Sequence, residues 1–214
     1  MITINLFSDP ICPWCFIGKR RLEAALEART EIKTDIGWHT YQLNPMMPRE
    51  GLSRYDYLTL KFGNKDNARR LFANIASIGE QAGISFRFDR IQTTPNTLNA
   101  HRLIRFAARH GVQGNIVERL FTAYFLDGMN IGETATLVYL AATEGIDTKE
   151  TEAYLNSNED LDVVKAEDIQ ARQLGIQGVP FFIMDRQYAI SGAQEAEAFY
   201  PLFDLLSAKS LAVA

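Results

Sequence analysis

The chain contains only two cysteines, Cys12 and Cys15, which enclose Pro13 and Trp14 and follow a short apolar segment. Residues three apart are neighbours on a helix surface, so a helix that begins here brings the two sulfurs within disulfide reach. Such a pair can form and break one covalent bond. The spacing therefore predicts a redox-active dithiol.

Pro13 indicates where this helix begins. Proline is favoured at the first helical position, because its fixed φ suits the helix and its missing N–H is not needed there. Cys12 is then the predicted N-cap, close to the positive end of the helix dipole and to the unpaired amide groups of the first turn. Both effects favour a thiolate, so we expect Cys12 to attack a disulfide and Cys15 to resolve the mixed disulfide.

Two cysteines alone also fit a buried structural pair or half of a zinc site. The sequence has no second C-x-x-C motif, and its three histidines, His39, His101 and His110, are scattered along the chain. We therefore predict no metal site and no organic cofactor. His101 is expected on a partly exposed helix face.

The pattern around the cysteines predicts a β-α-β unit. Apolar residues alternate from Ile2 to Phe7, recur at helical spacing as Leu22, Ala25 and Leu26, and alternate again from Ile32 to His39. From about residue 53 to 174 the spacing is almost entirely helical.

The last forty residues predict two more strands and a helix. Phe181–Met184 and Tyr188–Ile190 flank a short polar turn, which is typical of a β-hairpin, and helical spacing follows, with Pro201 either kinking the helix or marking its start. The predicted order is therefore β-α-β, a run of helices, and then β-β-α.

Val179 and Pro180 precede the first strand of this hairpin and allow two interpretations. Proline is tolerated at the start of a strand because no ladder hydrogen bond is lost there. Alternatively, a cis bond at Val179-Pro180 would bend the loop and leave neighbouring backbone groups free for an extended peptide or glutathione.

Several blocks together resemble a known family. The blocks are Asp9-Pro10-Ile11-Cys12-Pro13-Trp14-Cys15, Tyr41-Gln42-Leu43-Asn44-Pro45, Asn96-Thr97-Leu98-Asn99-Ala100-His101-Arg102, and the segment from Gly178 to Gln194. With the predicted element order they resemble a thioredoxin fold with the helical insertion of the DsbA superfamily, and most closely its FrnE-like branch. The resemblance spans nearly the whole chain.

This resemblance implies an α/β fold and a thiol–disulfide oxidoreductase. It implies a discontinuous thioredoxin-fold domain from residues 1–52 and 175–214, with residues 53–174 as a helical insertion domain. In the family the first cysteine attacks, the second resolves, and the two residues between them tune the redox potential, roles that map onto Cys12, Cys15, Pro13 and Trp14. The cis-proline of the family maps onto Pro180. Trp14 is equally consistent with a packing role and with substrate contact.

The amino-acid composition narrows the classes of molecule that this chain is expected to bind. The chain has 214 residues, 47% of them hydrophobic, and a net charge of -4, which argues against nucleic acid as a partner. No segment reads as a signal peptide or a membrane span, so we expect a cytoplasmic protein that acts on thiols or disulfides of proteins or peptides, with glutathione as a further candidate co-substrate.

Two other functions remain open at this stage. A glutathione-dependent transferase or isomerase is the first, because the kappa-class transferases and 2-hydroxychromene-2-carboxylate isomerases resemble the same fold, generally with a serine-led site in place of the cysteine pair. The second is a chaperone or binding module that uses an apolar groove beside Cys12 and survives loss of both thiols.

Overall fold

The computed structural model describes residues 1–63 and 65–212. Its strands are β1 (Ile2–Ser8), β2 (Thr34–Thr40), β3 (Leu52–Ser53), β4 (Thr93–Thr94), β5 (Phe181–Met184) and β6 (Tyr188–Ser191). Its helices are α1 (Pro13–Glu27), α2 (Arg54–Phe62), α3 (Lys65–Gln81), α4 (Leu98–Arg109), α5 (Gln113–Thr122), α6 (Thr134–Thr143), α7 (Thr148–Asn156), α8 (Leu161–Gln173) and α9 (Tyr200–Ala212).

Four strands form the central sheet, in the order β2-β1-β5-β6. β1 and β2 are parallel, with Ile2 opposite Thr34, whereas β5 is antiparallel to β1 and to β6. The connection between the parallel strands contains α1, as a β-α-β unit requires. For the central sheet, the order predicted from the sequence, β-α-β before the helices and β-β-α after them, is confirmed.

The hairpin between β5 and β6 turns without glycine. Asp185 and Arg186 both adopt positive φ, at 47° and 58°. Aspartate tolerates this conformation better than most residues. The Asp185 carboxylate also accepts a hydrogen bond of 2.7 Å from the amide of Thr3, which connects the turn to the start of β1.

Helices α2 to α8 lie between β3 and β5 in the chain. A capping aspartate begins one of them, since the Asp147 carboxylate accepts a hydrogen bond from the amide of Glu150. The helical pattern did not reveal β3 and β4, which pair as a second small sheet. Two residues per strand are too few to produce a readable alternation.

The core consists of two clusters of buried side chains. The first lies on one face of the sheet, where Ile4 and Leu6 of β1 pack with α1 and with Phe199 and Phe203 near the start of α9. The second joins the cysteine end of α1 to the helical segment, for example through Phe16, which stacks on Phe121. Cys12 and Cys15 belong to this second cluster, so the helical segment covers the two cysteines.

From the sequence, Pro201 could either kink the last helix or mark its start. In the structure α9 begins at Tyr200, so Pro201 lies in its first turn and marks the start. The division into a thioredoxin-fold domain and an insertion domain stays a prediction. Within residues 1–63 and 65–212, no helix combines the length and the apolar character needed to cross a bilayer.

Candidate active site

Cys12 is the N-cap of α1, and Pro13 occupies the first helical position. The backbone closes the turn on both sides: the amide of Cys12 donates to the Asp9 carbonyl at 2.9 Å, and the Cys12 carbonyl accepts from the amide of Cys15 at 3.0 Å. The Cys12 thiol does not cap the helix and instead donates to the Val179 carbonyl at 3.5 Å.

Cys15 lies one turn further into α1 and is completely buried, while Cys12 is 3% exposed. Both thiols are free in this structure. Burial raises the pKa of Cys15 well above the ordinary thiol value, and the neighbouring Cys12 sulfur adds to the rise, whereas the Ser8 hydroxyl and the Asp9 backbone act in the opposite direction. Cys15 is therefore the group that holds its proton more firmly than an ordinary thiol does.

The two residues between the cysteines are half-buried. Trp14 packs against the core cluster that contains Cys12 and Cys15, and it retains an exposed part. Both interpretations made from the sequence, packing and contact with a substrate, are compatible with this position.

Val179 and Pro180 lie beside the redox pair, although 167 positions separate Val179 from Cys12 in sequence. The Val179-Pro180 bond is cis, and both residues are buried. The Pro180 carbonyl accepts a hydrogen bond from the Gly192 amide at 2.9 Å, whereas the Val179 carbonyl faces Cys12. Gln177 and Gly178, which lead into this loop, are exposed.

Close packing fixes the distance between this loop and α1. Gly18 of α1 faces Pro180 so closely that a Cβ there would lie 2.7 Å from the Pro180 Cγ and 3.3 Å from the Phe182 ring. Only glycine permits this approach. Gly18 therefore keeps the loop of Pro180 against the helix that carries the cysteines.

Asp9, which carried no role in the sequence analysis, organises the loop before Cys12. Its side chain is completely buried. One carboxylate oxygen accepts from the Leu43 amide at 2.7 Å, and the other accepts from the Ile11 amide at 3.3 Å. The carboxylate thus connects the loop after β2 to the loop that ends at Cys12.

The prediction for His101 is wrong. His101 is 3% exposed, and its Nε2 lies 3.7 Å from an Asp9 carboxylate oxygen. The helical pattern placed Leu103, Ile104 and Ala107 in the core, but α4 is packed on more of its circumference than those positions indicate. The available signal was the spacing of His101, one turn before buried Ile104.

A cavity of about 410 Å³ opens beside this buried histidine, between the end of β1, β2 and α4. Its lining includes Ser8, His39, His101, Arg105 and Glu167. Sequence analysis did not find this cavity, because its walls come from distant parts of the chain.

His39, at the wall of the cavity, links three elements. Its Nδ1 lies 2.7 Å from a Glu167 carboxylate oxygen of α8 and its Nε2 lies 2.8 Å from the Asn5 Oδ1 of β1. Burial alone would raise the pKa of Glu167, but hydrogen bonds from His39 and Thr40 lower it to about 2. These bonds attach α8 to the sheet.

Among the residues that the structure describes, no group of three or more histidine, cysteine, aspartate or glutamate side chains is arranged to hold a metal ion.

Comparison with known proteins connects this geometry to a family. Residues 3–202 match the DSBA-like thioredoxin domain. A crystal structure of a probable DsbA oxidoreductase from Streptomyces coelicolor is similar, with 31% sequence identity and a TM-score of 0.87, covering 95% of this chain and 88% of that one. The uncharacterized protein YwbO of Bacillus subtilis is 26% identical over 200 residues, which is 92% of this chain and 94% of YwbO.

A more distant structure shares the fold. The cytosolic disulfide reductase DsbM from Pseudomonas aeruginosa, solved with GSH, is 19% identical with a TM-score of 0.67, covering 97% of this chain and 98% of that one. These comparisons confirm the fold class expected from the sequence, an α/β thioredoxin fold with a large helical insertion.

Proposed function

This chain belongs to the DSBA-like thioredoxin domain family, and from that premise we propose that it is a thiol–disulfide oxidoreductase that exchanges electrons through Cys12 and Cys15. The observation that carries the proposal is the placement of Cys12 at the N-cap of α1, with its sulfur 3.5 Å from the Val179 carbonyl and Cys15 one turn away. Membership of the FrnE-like branch stays a prediction.

The reaction begins at Cys12. Its thiolate attacks one sulfur of a substrate disulfide, forms a mixed disulfide and expels the other substrate sulfur as a thiolate, which takes up a proton. The thiol of Cys15 then loses its proton and attacks the Cys12 sulfur. The Cys12–Cys15 disulfide forms, the second substrate thiolate leaves, and two electrons have passed to the substrate. The same steps in reverse oxidise a dithiol.

Each neighbouring group has a role in this proposal. The helix N-terminus stabilises the Cys12 thiolate, and Pro13 and Trp14 tune the redox potential. The loop of Val179 and Pro180 contacts the substrate chain, which approaches over exposed Gly178. The substrates are thiols or disulfides of proteins or peptides.

Glutathione is a candidate reductant or substrate. The fold is shared with a disulfide reductase that was solved with GSH and described as cytosolic. From this shared fold we also propose a cytoplasmic location, where a glutathione pool can recycle the two cysteines.

The test is redox equilibration. The protein is incubated in glutathione buffers of graded ratio, free thiols are alkylated, and the product is counted by mass spectrometry, with Cys12→Ser as the control. We expect one reversible two-electron couple, whose potential indicates whether reduction or oxidation is favoured. Thiols that stay in one state across the whole series would refute the proposal.

Two further assays separate the alternatives. Conjugation of glutathione to an electrophile by the Cys12→Ser, Cys15→Ser double variant would favour a transferase. Protection of a client protein from aggregation by that variant would favour a binding module. The oxidoreductase proposal predicts that the double variant has neither disulfide exchange nor conjugation activity.

A further inference from the structure

A second cavity, of about 400 Å³, lies between the first residues of α4 and α8, the end of α7 and the loop before β3. Its lining includes three cations, Arg49, Arg102 and Lys165, with four asparagines and two hydroxyl side chains. In the described part of the chain no carboxylate lines it, although the whole chain has a net charge of -4. We call it the cationic cavity. It shares no residue with the candidate redox site.

Arg102 places a positive charge in the wall of this cavity and is 1% exposed. Buried charges in proteins are normally paired with an opposite charge. Within residues 1–63 and 65–212, no carboxylate forms an ion pair with Arg102. Its guanidinium instead donates to the Asn99 side chain and to four backbone carbonyls at the end of α7 and just beyond it. Arg102 thereby offsets the negative end of the α7 dipole, which would otherwise repel an anion.

The other two cations of the cavity, Arg49 and Lys165, are exposed. Neither makes an ion pair with any residue that the structure describes. Two carboxylates nearby in sequence are already engaged elsewhere, since Glu159 pairs with Arg109, and Asp160 pairs with Arg109 and Arg105. Arg49 and Lys165 are therefore available to a negatively charged ligand.

Three helices begin at the cationic cavity. Leu98, Thr134 and Leu161, the first residues of α4, α6 and α8, all line it. The Leu98 amide donates to the Asn96 side chain at 2.9 Å, but in none of the three helices does the N-cap side chain bond to an amide of the first turn. The positive ends of three helix dipoles thus add to the charge of the cations.

The absence of a carboxylate from this lining restricts the class of ligand. An amino acid or glutathione would bring an ammonium group that finds no counter-ion there. A phosphate group carries a charge of about −1.5 to −2 and three strong acceptor oxygens, and helix N-termini with arginine or lysine are its usual partners. The volume falls in the range of about 300–1,000 Å³ found for small-molecule sites, which leaves room for an organic group beside the phosphate.

We propose that the cationic cavity binds a phosphate group, either as free phosphate or as the phosphomonoester of a small molecule. Arg49 and Lys165 donate charged hydrogen bonds to its oxygens. Arg102 contributes a fixed positive charge, because its own donors are occupied by backbone carbonyls and Asn99. This site lies outside the redox function proposed above and does not depend on it.

The test is isothermal titration calorimetry of the full chain in a phosphate-free buffer of low ionic strength. The titrants are inorganic phosphate and glycerol 3-phosphate, with glycerol as the uncharged control. The variants are Arg49→Gln, Lys165→Gln and the double variant. Lys149→Gln is the matched control, because Lys149 is an exposed helical lysine of α7 that does not line the cavity.

We expect both phosphates to bind and glycerol not to bind. Each single variant should weaken the affinity about ten-fold or more, because it removes a hydrogen bond between charged groups. The double variant should not bind, and Lys149→Gln should change the affinity by less than about two-fold. Tighter binding of glycerol 3-phosphate would identify a phosphomonoester as the ligand, whereas equal affinities would identify free phosphate.

The proposal is overturned if neither phosphate binds at millimolar concentration, or if Arg49→Gln and Lys165→Gln bind as tightly as the unmodified protein. Equal weakening in Lys149→Gln would also overturn it, since the effect would then reflect overall charge. Both replaced side chains are exposed and unpaired in the described structure, so the variants should fold, which circular dichroism checks. Redox equilibration of Cys12 and Cys15 is measured separately, so failure of either proposal is recognised by itself.

Discussion

The two flanks of β1 differ sharply at the end where the strand meets the cysteines. On the β5 flank, Cys12 faces a backbone carbonyl, a buried proline and the exposed glycine before them. On the β2 flank, the lining of the cavity includes the buried hydroxyl of Ser8 and the buried imidazole of His101. The first flank ends in a loop with an exposed glycine, and the second is a cavity lined by both polar and apolar side chains.

This difference fits the separate roles proposed for the two cysteines. Cys12, the proposed nucleophile, lies at the N-cap of α1, where the helix dipole favours negative charge. Cys15, the proposed resolving residue, is completely buried one turn further into α1. The flanks meet at α1, so one helical turn separates the two environments.

The largest effect should come from replacing each of the two cysteines in turn. Cys12→Ser should abolish turnover of a peptide disulfide, because no nucleophile remains on the substrate flank. Cys15→Ser should still attack and should accumulate mixed disulfides that non-reducing electrophoresis and mass spectrometry detect. Equal residual activity in the two variants would show that the flanks do not divide the chemistry.

Arg102 of α4, the helix beside the cavity, should contribute strongly to the free energy of unfolding. Its buried guanidinium donates to four backbone carbonyls at the end of α7 and beyond, those of Tyr154, Leu155, Ser157 and Glu159. Arg102→Met should lower the free energy of unfolding by about 3 kcal/mol or more, because buried carbonyls lose their donors.

Chemical denaturation of Arg102→Met is compared with Arg105→Met. Arg105 is the next arginine of α4, but it is largely exposed and paired with Asp160, so its loss should cost less than about 1 kcal/mol. Similar losses in the two variants would show that the buried contacts of Arg102 do not stabilise the protein.

Glu167, which lines the cavity, should make the free energy of unfolding depend on pH. Its pKa is lowered to about 2, so its bonds to His39 and Thr40 stabilise the fold above the ordinary glutamate pKa and are lost as pH falls from about 4.5 towards 2. Glu167→Gln should therefore cost about 2 kcal/mol at pH 7 and reduce the loss of stability on acidification.

Urea denaturation at pH 7 and at pH 3 measures this effect, with Glu152→Gln, at an exposed position of α7, as the control. The two pH values should differ less in Glu167→Gln than in the unmodified protein. An unaltered pH dependence would mean that Glu167 contributes no linked stability.

Gly18→Ala tests the substrate flank and should have the smallest effect. The new methyl group would meet Pro180 at 2.7 Å, so the loop must move away from α1, at a cost of about 1–2 kcal/mol. Attack by Cys12 on a peptide disulfide should slow. Gly114→Ala, where the nearest atom is 3.9 Å away, is the matched helical control and should be neutral or stabilising.

Sequence reasoning was strongest where one short segment contains the whole signal. Cys12 and Pro13 predicted the start of α1, and alternation predicted β1 and β2 to within two residues. It failed for β3 and β4, which are too short to show a period, and for His101, whose burial depends on packing by other elements. The turn at Asp185 and Arg186 also lacked the glycine that usually signals such a conformation.

The sequence by itself determined the spacing of the two cysteines, the start of the helix that carries them, and the order of the main strands and helices along the chain. Spacing and periodicity reveal these features because they involve residues that are close together along the chain. Only the tertiary structure decided that Val179 meets Cys12 across 167 positions and that Ser8 and His101 line one cavity. Such meetings depend on how strands and helices from distant segments pack together, and no local pattern records that packing.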